Sequence, residues 1–139
     1  MGLGVSLVKE KWVSYDKGET WKVEYEELYH ANITHNLYAM AHAANIYDVL
    51  WRPCRVHPDY VSIDNYDWEM RFEDSVTIYA KDITELIQAG LHRLKTRPGC
   101  YKQFDSPNRW GIYEDFIPFV EKYLKACLEY PDAIVRVDR

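Results

Sequence analysis

Apolar and polar positions alternate with a period of two through the first 27 residues. Val5 and Leu7 interleave with Ser6 and Val8, and Trp12-Val13 lead into Tyr15-Asp16-Lys17-Gly18-Glu19, where Gly suits a positive φ. The return segment Thr20–Tyr25 sets Trp21, Val23 and Tyr25 on one face and Lys22 and Glu24 on the other. This pattern predicts a hairpin with that apolar face packed and the other face wet. The period then changes to that of a helix over 32–44, with Asn32 as N-cap and Asn45 as a left-handed terminator. Ile33, Leu37, Met40, Ala41 and Ala44 share its core side, and His35, Tyr38 and His42 share the opposite side. Ile46–Trp51 reads as a further short helical turn or a buried crossing, stopped by Arg52-Pro53.

Residues 54–79 carry only weak alternation around the acidic and aromatic run DNYDWEMRFED, which suits a long loop or a second hairpin. A second helix is expected from Asp82 as cap, with Ile83, Leu86, Ile87, Gly90, Leu91 and Leu94 as its stripe, ending at Arg97-Pro98-Gly99. Gly90 lies on that stripe and implies close approach by another element. A third helix is expected over 113–129, kinked at Pro118 or beginning near it. Residues 133–138 follow as a strand whose natural partner is the N-terminal hairpin. The expected fold is a single α+β domain over 1–139, with about three helices on one face of a small antiparallel sheet formed by the N-terminal hairpin and the C-terminal strand.

Charge sharpens this picture at one place. Leu28–Tyr47 contains no Asp, Glu, Lys or Arg, although 28% of the chain is charged, and it holds three His, three Asn and three Tyr instead. Bulk water is a poor cover for such a face, so the rest of the fold, a second copy, a partner or a ligand is expected against it. A net charge of −5 disfavours nucleic acid as a partner. No window approaches the length of a membrane span, no signal-peptide core opens the chain, and three cysteines cannot all pair; a cytoplasmic protein with free thiols is the expectation.

Two constellations could carry chemistry. His35 and His42 are seven residues apart on a helix without a carboxylate, which suits an interface or an acid–base role better than a metal, so neither metal nor cofactor is expected. Trp51-Arg52-Pro53 and Asn108-Arg109-Trp110-Gly111 each place Arg beside Trp in a rigid turn, an arrangement that reads anions when the guanidinium stacks on the ring. The competing reading pairs Arg109 with Glu114 or Asp115 and tucks Trp110 against the core edge. Cys54, Cys100 and Cys127 show no neighbouring base and read as inert.

The segments MGLGVSL, NITHNLYAMAHAANIYDVLWRP and SPNRWGIYEDFIPFVEKYLKAC resemble a set of small uncharacterised proteins encoded by bacteria and their phages, which open with Met-Gly-Leu and an acidic residue; Gly4 stands here in place of that acid. The resemblance implies an accessory or prophage-linked cytosolic protein and transfers no catalytic residue. Three functions are therefore in view. The first is a non-enzymatic protein-interaction module, as homodimer or with a protein partner, using His35, Tyr38 and His42. The second is a small-ligand or anion site, hydrolytic chemistry included, between that helix and the 106–111 loop. The third is an acidic inhibitor mimicking nucleic acid through the Asp64–Asp74 carboxylates.

Overall fold

A computed structural model describes residues 2–139. Two long strands, β1 (Gly2–Val13) and β2 (Lys22–Thr34), form the hairpin, and the C-terminal strand β3 (Ile134–Asp138) lies on the other side of β1. Both pairings are antiparallel, so β1 is central and β2 is an edge. The turn forms where the sequence places it: Lys17 and Gly18 have φ of 60° and 90°, and the Asp16 carboxylate accepts from the Thr20 amide at 2.8 Å and the Ser14 hydroxyl at 2.9 Å. The Thr20 contacts hold the Asp16 carboxyl below its usual range.

The uncharged stretch is not helical from Asn32. Its first seven residues complete β2, because Tyr29, Ile33 and Thr34 suit a pleated surface. Thr34 then caps a 3-10 turn (His35–Leu37), its hydroxyl accepting from the Asn36 amide, and α1 (Tyr38–Ala43) follows. Leu37, Met40, Ala41 and Ala44 are buried as expected, and Asn45 takes a φ of 55°. Next come α2 (Tyr47–Trp51), a 3-10 turn (Pro53–Val56), α3 (Tyr66–Ser75), α4 (Ala80–Thr96), α5 (Pro98–Lys102) and α6 (Tyr113–Glu129). The described residues thus hold six α-helices, where about three were expected.

The long helices obey their stripes. Ile83, Ile87, Gly90, Leu91 and Leu94 of α4 are buried, whereas Leu86 is exposed. A Cβ at Gly90 would lie 2.5 Å from Ile46 Cδ1, which explains the missing side chain there. The N-terminus of α4 starts two residues before Asp82. Its Ala80 and Lys81 amides donate to the Ala133 and Pro131 carbonyls, and Asp82 reaches back to the Tyr79 amide at 2.9 Å. Helix α6 runs from Tyr113 with Pro118 inside it, so it does not begin near Pro118. Pro118 falls within its second turn, and the helix holds around Phe116, Phe119, Val120 and Tyr123, all buried. One apolar core joins these helices to Leu3, Val5 and Leu7 of β1 and Val135 of β3.

Candidate functional site

Side chains on the helix face of the sheet follow the period-two rule as far as Leu7. There Leu7 opposes Tyr29 but Val8 opposes Glu27, so Leu28 is an extra residue in β2, a β-bulge. Tyr29, Ala31 and Ile33 lie on the core side with Leu7, Val5 and Leu3. Beyond the bulge the parity of β2 inverts: Tyr25 opposes Glu10 and Val23 opposes Trp12, so these side chains share the face opposite to that of Leu3, Val5 and Leu7. The packed face expected for Trp21, Val23 and Tyr25 is therefore not packed.

The result is a two-stranded ribbon whose outer face is aromatic and whose inner face is charged. Trp12 is 61% exposed, and Trp21, Val23 and Tyr25 are exposed beside it. Lys9, Lys11 and Lys22 alternate with Glu24 and Glu26 on the other face, where Lys9 meets Glu26 at 3.3 Å. β3 pairs with β1 only over Gly4–Val8, so the ribbon beyond has no third strand. At its base the Arg136 guanidinium stacks 4.4 Å from the Tyr25 ring centroid. An open groove of about 380 Å³ begins there, lined by Glu10, Tyr25, Asp74, Val76 and Arg136 among others.

Helix α3 forms the far wall of that groove, and a carboxylate fastens it to the body. Glu69 is only 7% exposed. It accepts from Arg55 Nε at 2.6 Å, Arg55 Nη2 at 3.2 Å, Arg52 Nη1 at 3.2 Å and the Tyr60 hydroxyl at 2.9 Å. The Arg55 hydrogen bond, foremost, holds the Glu69 carboxyl below its ordinary range. One turn on, Glu73 takes both Nη atoms of Arg139, at 3.0 and 2.9 Å. Arg55 also reaches Asp48 at 3.1 Å, so each of its three nitrogens is engaged by a carboxylate although it lines an open cleft of about 520 Å³ with Tyr60, Ser62 and Asp64.

The expected site residues separate into three places. Tyr38 and His42 are exposed and their rings lie 4.2 Å apart; His42 stacks 4.2 Å from Tyr47, which leads inward to Trp51 at 5.5 Å. His35 sits half-buried in the 3-10 turn before them. Trp51 is fully buried against Phe116 and Phe119, and Arg52 turns to Glu69, so the Trp51–Arg52 stack does not form. In the 106–111 loop, Asn108 Oδ1 accepts from the Ser106 hydroxyl at 2.5 Å and the Trp110 amide at 3.0 Å, Arg109 has φ of 63°, and Trp110 is 73% exposed. Trp110 therefore does not plug the core edge, and Arg109 makes no ion pair among the described residues. Asn36 Nδ2 donates to the Trp110 carbonyl at 2.7 Å, which ties this loop to the 3-10 turn.

Two of the three thiols are buried. Burial pushes the Cys54 thiol up to about 11 and Cys127 up to about 12, far from the thiolate a nucleophile needs. Among the described residues no group of three or more His, Cys, Asp or Glu is placed to hold a metal ion, and no helix is long and apolar enough to cross a membrane. The carboxylates of residues 64–74 form no single array: Glu69 and Glu73 turn inward, and Arg71 lies between Asp67 and Asp74. No family model, curated protein or solved structure matches this chain.

Proposed function

We propose that the chain is a non-enzymatic protein-interaction module whose contact surface is the aromatic face of the ribbon. The observation that carries this reading is the row Trp12, Trp21, Val23 and Tyr25, left exposed on an arm that buries no apolar residue of its own. Interfaces are enriched in Trp and Tyr at their centres and ringed by polar groups. Glu10 and Glu27 border the row on its own face, so the matching partner is a protein with an apolar patch rimmed by Lys and Arg. The test is the double variant Trp12→Lys/Val23→Lys. It keeps its circular dichroism and melts within about 4 °C of the parent, since surface changes cost little, but it loses the complex that the parent chain isolates from cells. Retention of that complex, or unfolding of the variant, overturns the reading.

A second surface has its own supporting observation. Tyr38, 52% exposed, and His42 form a ring cluster with Tyr47, in which His42 stacks on Tyr47 and Tyr38 meets both at a steep angle, an uncharged platform on the helical side of the molecule. It suits a flat aromatic or apolar partner group, and its use would show as loss of binding in Tyr38→Lys with the ribbon intact.

A further inference from the structure

A different part of the molecule, the proximal half of the β2 edge, points to self-association. We propose that two copies of this chain pair antiparallel along Tyr29–Thr34, with Trp110 of each copy seated in a cleft of the other. Along its outer edge β2 has no backbone partner among the described residues. Natural edges are guarded by charge or by bulges. Here both guards lie on the distal half, as Lys22, Glu24, Glu26, Glu27 and the bulge at Leu28, and Tyr29–Thr34 has neither.

A two-fold axis through Ala31 sets Tyr29 opposite Ile33 and His30 opposite Asn32, and it sends the acidic distal halves to opposite ends. Parallel pairing would instead bring Glu24, Glu26 and Glu27 of the two copies side by side. Such an axis stands normal to the sheet, so both helical layers fall on one side. There α6 runs beside β2. The Tyr123 ring stacks 6.1 Å from Tyr29, and a cleft of about 270 Å³ opens between Leu28 and Tyr29 on one side and Lys122, Lys125, Ala126 and Glu129 of α6 with the following Tyr130 on the other, so that the seated ring meets apolar side chains and lysine ammonium groups.

At the other end of the same strand, Gly111 packs so closely on Asn36 and Thr34 that a Cβ would lie 2.8 Å from Asn36 Cβ. Together with the Asn36 hydrogen bond, this holds the exposed Trp110 beside the strand's end. Reversal of direction about Ala31 carries each Trp110 toward the Leu28–Tyr29 cleft of the other copy. The contact is reciprocal, so the pair closes on itself. The uncharged strand segment and the unpacked Trp110 then have one common explanation.

Sedimentation of the full chain tests this, with amide exchange as a second readout. The parent is expected to be a dimer at about 100 μM, with Trp110→Ala weakening it about 10-fold and His30→Lys/Asn32→Lys about 100-fold. Amide exchange over 29–34 is expected to slow as concentration rises, while exchange over 22–27 does not change. A monomeric parent at that concentration, a dimer indifferent to both variants, or protection falling on 22–27 overturns the proposal. Should the lysine variant fail to fold, Trp110→Ala, altered only at an exposed loop side chain, decides it.

Discussion

The two halves of the β1–β2 ladder are built from similar sequence and meet opposite fates. In the proximal half Leu3, Val5 and Leu7 are essentially inaccessible beneath the helices; in the distal half Trp12, Val23 and Tyr25 are left in solvent. Both halves alternate with a period of two. What divides them is one extra residue, Leu28, which inverts β2 so that its aromatic row leaves the core side. Alternation therefore tells which residues share a face, and a bulge decides which face that is. The distal row is freed by geometry rather than by weak hydrophobicity.

The sharpest break of the comparison uses one truncation in each half. Leu7→Ala opens a cavity in the core and is expected to cost about 2–5 kcal/mol in urea denaturation. Trp12→Ala removes a larger side chain yet is expected to cost less than about 1 kcal/mol, because most of that ring is already in water. Equal losses would mean that the distal row is structural after all.

Removing the divider tests the mechanism itself. Deletion of Leu28 removes the bulge but leaves Val8 opposite Glu27, Glu10 opposite Tyr25 and Trp12 opposite Val23, so the aromatic row stays on the outer face of a regular ladder. The expected cost is about 1–3 kcal/mol, because Leu28 packs against the core. The measurement is the tryptophan emission of the ribbon together with solvent quenching: both should remain parent-like for the deletion and for Leu28→Ala. A deletion variant whose ribbon tryptophans become shielded would show that the face of the row is not set by the pairing beyond the bulge.

Much of the fold was legible in the sequence. The turn at Asp16–Gly18, the α4 stripe with Gly90 facing Ile46, and the C-terminal strand beside the hairpin all follow from local pattern and from residue size. The bulge left a fainter mark: Glu27 occupies the apolar phase, and Leu28-Tyr29 is an apolar doublet, so the alternation slips at the very place where the ladder does. The extension of β2 to Thr34 was hidden because Leu37, Met40 and Ala44 impose a helical period that starts later than Asn32. Of the expected site residues, Tyr38 and His42 do stand together, but Trp51 and Arg52 serve the core and the Glu69 anchor. Neither role could be read locally, since each depends on partners 17 or more residues away in sequence.

Helix α3 escaped the sequence reading for a different reason, which yields the smallest of these effects and a finer division between the two halves. The proximal ladder is held by apolar burial, which is indifferent to pH. Helix α3, the far wall of the groove under the ribbon, presents Glu69 to the body where a stripe residue would be apolar, so hydrophobic periodicity does not reveal it. Because Arg55, Tyr60 and Arg52 lower the Glu69 carboxyl in the folded state, the ionised form is bound more tightly than in the unfolded chain. The resulting stability is fully present above the free glutamate value of about 4.3 and is lost as pH falls through the lower folded value. A loss of about 1 kcal/mol is expected from this one group, visible as a difference between the acid denaturation curves of the parent and Glu69→Gln, which lacks the titration. Exchange should accelerate first in the amides of residues 66–75, while those of Leu3–Leu7 stay protected until global unfolding. If both sets open together, α3 is fastened by the same core as the proximal ladder, and the wall of the groove is no more separable than its floor.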